Sequence, residues 1–259
     1  MSFFRNFPKT TFDFLGNGVQ STVIDIFKFI KTNDKFSDEL ALYSYYEIEE
    51  GDRPDVVSQK LYGTPEYYWT FFIINEHLRT GISHWPLSSE QFEKYMAEEY
   101  DGVLVTCRPR LVYDGDGLLQ SIENSLANRY TIGEPVTGFI SGATGKVHSK
   151  NPTTQQLIIT DVSGTFIENE IIRGDYSLDY ITSDRIYDWQ LGPHHYEDGE
   201  GRTVNISRNI VGGIPEIQAD LITYREYEQN LNDQRSKIRI IRDSRIFEFV
   251  DAYQELLNT

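Results

Sequence analysis

YYEIEEGDRPDVVSQKLYGTPEYYWTFFIIN, residues 45–75, is the stretch that decides the fold. Tyr46-Glu47-Ile48-Glu49 alternates apolar and charged residues, as a half-buried strand does. Gly51-Asp52 marks a turn, Asp52 stands where a helix N-cap is expected, and Pro54 suits the first helical position, where no backbone donor is missed. Val56, Val57, Lys60 and Leu61 keep helical spacing until Tyr62-Gly63, where glycine can take a left-handed cap conformation. Thr64, Pro65 and Glu66 then open a second helix, with Tyr68, Trp69, Phe72 and Ile73 expected on one apolar face. A plain buried helix pair is the alternative reading of the same residues.

That order of strand, helix, helix resembles a LysM module, a small strand–helix–helix–strand unit. Such a unit needs a second strand, and none follows Asn75. Lys237-Ile238-Arg239-Ile240-Ile241 alternates like a strand and precedes a capped helix. It is therefore expected to pair with the strand near Tyr45–Glu49, so that the module is split by everything between.

Around this nucleus the chain has 259 residues, with 24 basic and 40 acidic side chains and a net charge of −16. A net anion is repelled by nucleic acid and by anionic membranes, so neither is an expected partner, whereas a basic protein is. No apolar run approaches the roughly 20 residues that span a bilayer, and MSFFRNFPKTTFDF lacks a secretory pattern. Cys107 is the single cysteine, which fits a reducing compartment and, with no base beside it in the sequence, a packed residue.

Residues 1–44 read as an aromatic-rich arm with Phe3, Phe4, Phe7, Phe12 and Phe14, and Val19–Ile30 as a strand or short helix. Residues 45–130 hold the strand–helix–helix unit, a loop over Leu78–Pro86, and a helix that Leu87-Ser88-Ser89-Glu90 opens with a serine cap and that runs to about Tyr100. Val103–Val112 contains Pro109, which predicts a short or edge strand. Asp114-Gly115-Asp116-Gly117 is a turn and lacks the further ligands of a calcium loop. Residues 131–190 are short β runs between Gly and Ser turns, the pattern of a small all-β insert. In residues 191–259 the order expected is a loop over Leu191–Gly213, a helix over Ala219–Arg235, the Lys237–Ile241 strand, and a final helix capped by Asp243 or Ser244. That helix has Ile246, Phe249, Val250, Tyr253, Leu256 and Leu257 along one face. His194-His195 is read as a solvated pair, since adjacent side chains on an extended strand point oppositely. The fold class expected is thus α+β: a LysM-like strand–helix–helix–strand core with an inserted small all-β domain and a C-terminal helix.

Two blocks resemble one family. Tyr45–Asn75, with Gly51, Arg53-Pro54, Tyr62-Gly63, Pro65 and Tyr68-Trp69, and Tyr227–Leu257, YEQNLNDQRSKIRIIRDSRIFEFVDAYQEL and its last leucine, are similar to the baseplate wedge protein of T4-like contractile-tailed phages. The resemblance implies a structural virion protein of the tail baseplate, assembled in the host cytoplasm, that joins neighbouring wedges into a sixfold ring. It implies no catalytic residues and no cofactor. Its partners would be other wedge subunits and the sheath-initiating subunit. The contact residues expected are Arg53, Tyr67, Tyr68, Trp69, Trp85, Arg239, Arg242, Phe249 and Tyr253. A LysM-type peptidoglycan-binding protein is the alternative. An enzyme using two carboxylates finds no support, because among 40 acidic residues a pair can be picked at will.

Overall fold

The structure, a computed structural model, describes residues 9–14, 16–24, 42–204 and 219–258. Two compact units make it up, residues 1–90 with 231–259 and residues 91–230. In chain order the first elements are β1 (Lys9–Phe12), β2 (Ser21–Ile24), β3 (Tyr43–Glu47), α1 (Pro54–Tyr62), α2 (Trp69–Ile74) and α3 (Ser89–Glu99). Next come β4 (Val103–Cys107), β5 (Arg110–Tyr113), β6 (Leu119–Glu123), β7 (Pro135–Gly138), β8 (Thr144–Asn151), β9 (Gln156–Ser163), β10 (Ile171–Gly174) and β11 (Tyr180–Asp188). The chain closes with β12 (Pro193–Asp198), β13 (Thr203–Val204), β14 (Ala219–Thr223), α4 (Tyr224–Ser236), β15 (Lys237–Ile241) and α5 (Ile246–Asn258). The fold is mixed α+β.

The first unit is organised by the pairing of β3 with β15. They run antiparallel, Glu47 opposite Lys237 and Tyr43 opposite Ile241, so strands nearly two hundred residues apart share one sheet. The two segments pair as their alternation predicts, but the strand spans Tyr43–Glu47, two residues earlier than the expected Tyr45–Glu49. Ile238 and Ile240 pack with Ile48, Val57, Phe71, Leu78 and Trp85. Ile241 points to the other face and joins Leu42, Trp69, Ile74, Ile246, Phe249, Val250 and Tyr253. The outer edge of β15 is closed by a side chain: Asn75 Nδ2 donates to the Arg239 carbonyl at 2.9 Å and Asn75 Oδ1 accepts from the Arg239 amide at 2.8 Å. A buried carboxamide thus stands in for a neighbouring strand and leaves neither backbone group unpaired.

Local details of this unit depart from expectation in three places. The residue at the α1 N-cap is Arg53, not Asp52, and it makes no side-chain capping bond. Proline at the next position disfavours helical backbone in the residue before it, so Arg53 stays extended (φ −82°, ψ 154°). Asp52 instead accepts from Lys60 Nζ at 2.6 Å, and its carbonyl accepts from the Trp85 indole at 2.7 Å. Gly63 does end α1 in the left-handed region, at φ 69°.

In the second helix, Pro65–Tyr67 forms a separate 3-10 turn, with Thr64 accepting from the Glu66 amide. The residues buried in α2 are Trp69, Thr70, Phe71 and Ile74 rather than a Tyr68–Trp69–Phe72–Ile73 stripe. A six-residue helix set between two clusters buries two sides, Phe71 in one cluster and Trp69 with Ile74 in the other. The third departure is at α5, which is preceded by a 3-10 turn, Asp243–Arg245, entered from extended Arg242 without a side-chain cap. Its face is as expected for Ile246, Phe249, Val250 and Tyr253, while Leu256 is exposed and the side chain of Leu257 lies outside the described residues.

In the aromatic arm, β1 and β2 form an antiparallel hairpin, Lys9 opposite Ile24, with Phe12 and Phe14 exposed. Phe3, Phe4, Phe7 and residues 25–30 lie outside the described residues.

The second unit contains a closed six-stranded barrel in the order β10-β11-β4-β9-β8-β7. Val105, Cys107, Leu126, Val136, Val147, Leu157, Ile159, Ile172 and Ile181 fill it. β4 is not an edge strand: it is bonded to β9 on one side and β11 on the other. Closure leaves no edge, and Pro109 falls beyond Cys107 in the link to β5. The barrel therefore draws a strand from 103–107 in addition to those of the expected 131–190 stretch. Cys107 donates its thiol hydrogen to Gln155 Oε1, and burial pushes the thiol up to about 12, so no thiolate is present near neutral pH.

Two buried carboxylates hold the barrel's hairpins. Glu170 accepts from the amides of Ile140, Ser141 and Ile167 and from the Ser141 hydroxyl, at 2.7–3.1 Å. Burial alone raises this carboxyl; the bonds from Ser141, Ile167 and Ile140 outweigh it and hold it below its ordinary value of 4.5. A depressed folded value means that the clamp adds stability above about pH 4.5 and loses it as pH falls through the folded value. Glu170→Gln places a donor among donors and is expected to cost about 2–3 kcal/mol. It should also flatten the acid limb of a melting-temperature profile taken from pH 3 to 7. An unchanged acid limb would show that the carboxylate is not the clamp.

Beyond the barrel, residues 191–213 and 219–235 depart from expectation. Pro193–Asp198 is a strand, β12, between β13 and β14, and Ala219–Thr223 pairs with it instead of beginning a helix. The helix starts at Tyr224 behind a reciprocal cap. Thr223 Oγ1 accepts from the Glu226 amide, and the Glu226 carboxylate accepts from the Thr223 amide and hydroxyl. Residues 205–218 lie outside the described residues.

Candidate functional site

Nine residues were expected to meet partners, and the structure sorts them by burial. Trp69, Trp85, Phe249 and Tyr253 are core residues, Trp69 being 7% exposed and Phe249 1%. The Trp69 ring lies 6.4 Å from Phe249 and 5.4 Å from Tyr253. Trp85 packs on Phe71 and Phe72. Aromatic density in this segment marks the interior, because two helices must cover both faces of a two-stranded sheet.

The other five reach the surface. Arg53 is exposed and, among the described residues, pairs with Asp55 at 3.1 Å, two residues on. Tyr68 is exposed beside Phe72. Tyr67 is half-buried, with its ring edge on exposed Phe247 at 5.9 Å. Arg239 and Arg242 are exposed but anchored: Arg239 donates to the Ile74 carbonyl and lies over the Tyr43 ring, and Arg242 donates to the Tyr43 carbonyl at 3.0 Å.

Strand register adds a residue that sequence reasoning missed. Tyr45 stands directly opposite Arg239 and is 82% exposed. Side chains opposite each other across an antiparallel pair share a face, so Tyr43, Tyr45 and Arg239 form one aromatic and cationic face of the β3–β15 sheet. Tyr46 and Ile48 already signalled the inward face; the signal for Tyr45 was the odd position of the same alternation. Tyrosine and arginine with part of their area already fixed are the side chains that dominate protein interfaces. Phe247, which follows buried Ile246 on α5 and faces solvent, is a second exposed aromatic.

Electrostatics here are structural. Lys60 is held above its ordinary value by bonds to Asp52 and Glu49. Tyr62 is pushed up to about 12 by burial while donating to the Ile241 carbonyl at 3.0 Å. Neither group is poised for proton transfer near neutral pH.

In the second unit, His194 and His195 correct the expectation of a solvated pair. A register shift between Pro193 and His195 turns both rings to one side, and their Nδ1 atoms come within 2.7 Å. His194 stacks on Tyr227 at 4.0 Å, and His195 Nε2 lies 2.9 Å from Glu197. Burial, then the neighbouring His195, lower the His194 value. Among the described residues no group of three or more His, Cys, Asp or Glu is arranged to hold a metal ion, and no helix is long and apolar enough to cross a membrane.

Comparison with known proteins adds one match. Residues 3–107 fit the family described as Base plate wedge protein 53, a stretch that includes β3, α1 and α2. No curated protein matches the chain. The match supports a baseplate wedge subunit of phage over residues 3–107, a stretch that presents Tyr45 and Tyr68 at the surface.

Proposed function

We propose that the chain joins neighbouring baseplate wedges into a sixfold ring through protein–protein contacts. Its partners in this reading are other wedge subunits and the sheath-initiating subunit, met during assembly in the host cytoplasm. The strand–helix–helix unit closed by β15 is read as LysM-like, turned to protein contact rather than to glycan. The observation that carries the proposal is the family match over the same residues that present Arg53, Tyr45, Tyr67 and Tyr68 at the surface.

Arg53 provides the test. Among the described residues its guanidinium bonds to Asp55, and it makes no helix cap, so Arg53→Ala is expected to leave the melting temperature unchanged. Its incorporation into wedges reconstituted from purified subunits should weaken about fivefold or more, the range of a loss above 1 kcal/mol at a contact arginine. Wild-type incorporation by the variant would remove Arg53 from the contact surface. Saturable binding of the intact chain to purified peptidoglycan would favour the glycan-binding alternative instead.

A further inference from the structure

The barrel is built on a repeat that neither the family match nor the assembly reading uses. Glu134-x-x-x-Gly138-x-x-Ser141 and Glu170-x-x-x-Gly174-x-x-Ser177 are the same pattern, displaced by 36 residues. Their hydrogen bonds repeat with the same displacement. Ser141 and its amide bond to Glu170; Ser177 and its amide bond to Glu134 at 3.0 Å. Ile167 donates its amide to Glu170, and Thr131 to Glu134, both at 2.7 Å. The Gly138 amide reaches the Ala143 carbonyl and the Gly174 amide that of Asp179. Each clamp is thus made by the glutamate of the other copy.

The glycines are required by the same geometry. A Cβ on Gly138 would come within 2.8 Å of both Glu170 oxygens, and one on Gly174 within 2.9 Å of both Glu134 oxygens. The two copies meet at β7 and β10, antiparallel with Gly138 opposite Ile172 and Val136 opposite Gly174. The hairpin tips that follow Gly138 and Gly174 therefore leave opposite ends of that strand pair.

Both tips are apolar at the surface. Phe139 is 78% exposed with Ile140 beside it, and Tyr176 is 76% exposed with Leu178 beside it. A buried carboxylate holds each tip by its backbone, so docking costs little ordering entropy. The unit that carries the tips has 22 acidic against 11 basic residues over 91–230, and so holds most of the chain's negative charge. An anionic surface with rigid apolar projections is complementary to a basic surface with apolar pockets.

We propose that the barrel is a bivalent anchor in the assembled baseplate. Its tips, Phe139-Ile140 at one end and Tyr176 with Leu178 at the other, insert into a basic protein partner that offers an apolar pocket to each. This rests on the assembly reading above.

The test uses the full chain and wedge complexes purified without it. Phe139→Ser with Ile140→Ser, and separately Tyr176→Ser with Leu178→Ser, should each weaken binding at least tenfold. The fourfold variant should weaken it more than either pair does, and the wild-type association rate should fall steeply with salt. Because these side chains are exposed, melting temperatures should stay at the wild-type value. Tip variants that bind like the wild type, binding insensitive to salt, or a photo-crosslinker at position 140 or 176 that captures a second copy of this chain would each overturn the proposal while leaving the assembly reading standing. A wild-type chain that binds no wedge complex would overturn both.

Discussion

Ending the chain at Ser236 is expected to abolish the folding of the unit that contains residues 42–90. The deletion removes β15 and α5, and with them Ile238, Ile240, Ile241, Ile246, Phe249, Val250 and Tyr253, all buried. At about 1.5–3 kcal/mol for each large apolar side chain, the loss is roughly 10–20 kcal/mol, as large as the whole stability of an ordinary domain. β3 would keep no strand partner, since its pairing within the described residues is with β15. Asn75 would lose Arg239 and be left with the Phe71 carbonyl alone. Trp69 and Trp85 report on this directly: their fluorescence should shift to the red and their denaturant transition should disappear. A cooperative transition retained in the truncated chain would show that α1 and α2 form a stable core without their distant strand.

The second large effect is expected from Trp69→Ala. The indole fills the space between α2 and α5 against Phe249 and Tyr253. Truncating a buried tryptophan costs about 3–5 kcal/mol, from lost transfer energy and from the cavity left behind. Urea unfolding should show the slope unchanged and the midpoint lowered by that cost divided by the slope. Tyr253→Ala in the same background should add less than its own separate cost, since both side chains line one space. An unchanged midpoint for Trp69→Ala would mean that the ring is not a core residue. The contrast with Arg53→Ala, which should leave stability alone and weaken assembly, separates the two roles that sequence grouped together.

That grouping shows where sequence reading stops. Tyr67, Tyr68, Trp69 and Trp85 look alike in the chain, yet Trp69 and Trp85 are interior and Tyr68 is exposed. The difference is set by which cluster each side of a six-residue helix meets, and helical spacing alone cannot express two buried sides. The histidine pair fails for a related reason. Alternation predicts opposite faces, but one register shift in β12 brings the rings together. Ala219–Thr223 reads as the first turn of a helix until its partner strand is known, and its β-branched residues then suit a sheet. The Thr223-x-x-Glu226 cap was present in the sequence and marks the true start of α4.

Sequence by itself determined the features that depend on a few neighbouring residues. These are the start of α1 at Pro54 and its end at Gly63, the opening of α3 within Leu87–Glu90, the alternation of β3 and β15, and the resemblance to a baseplate wedge protein over residues 45–75. Each is written in contacts between residues one to four positions apart, or in a two-residue period. Tertiary structure alone decided that β4 closes the barrel, that Tyr45 and Arg239 share an outward face, and that each hairpin clamp borrows a glutamate from 36 residues away. Those outcomes depend on which strands find each other and on what they exclude from water. These are properties of the assembled chain, set by burial and by the demand that every buried polar group find a partner.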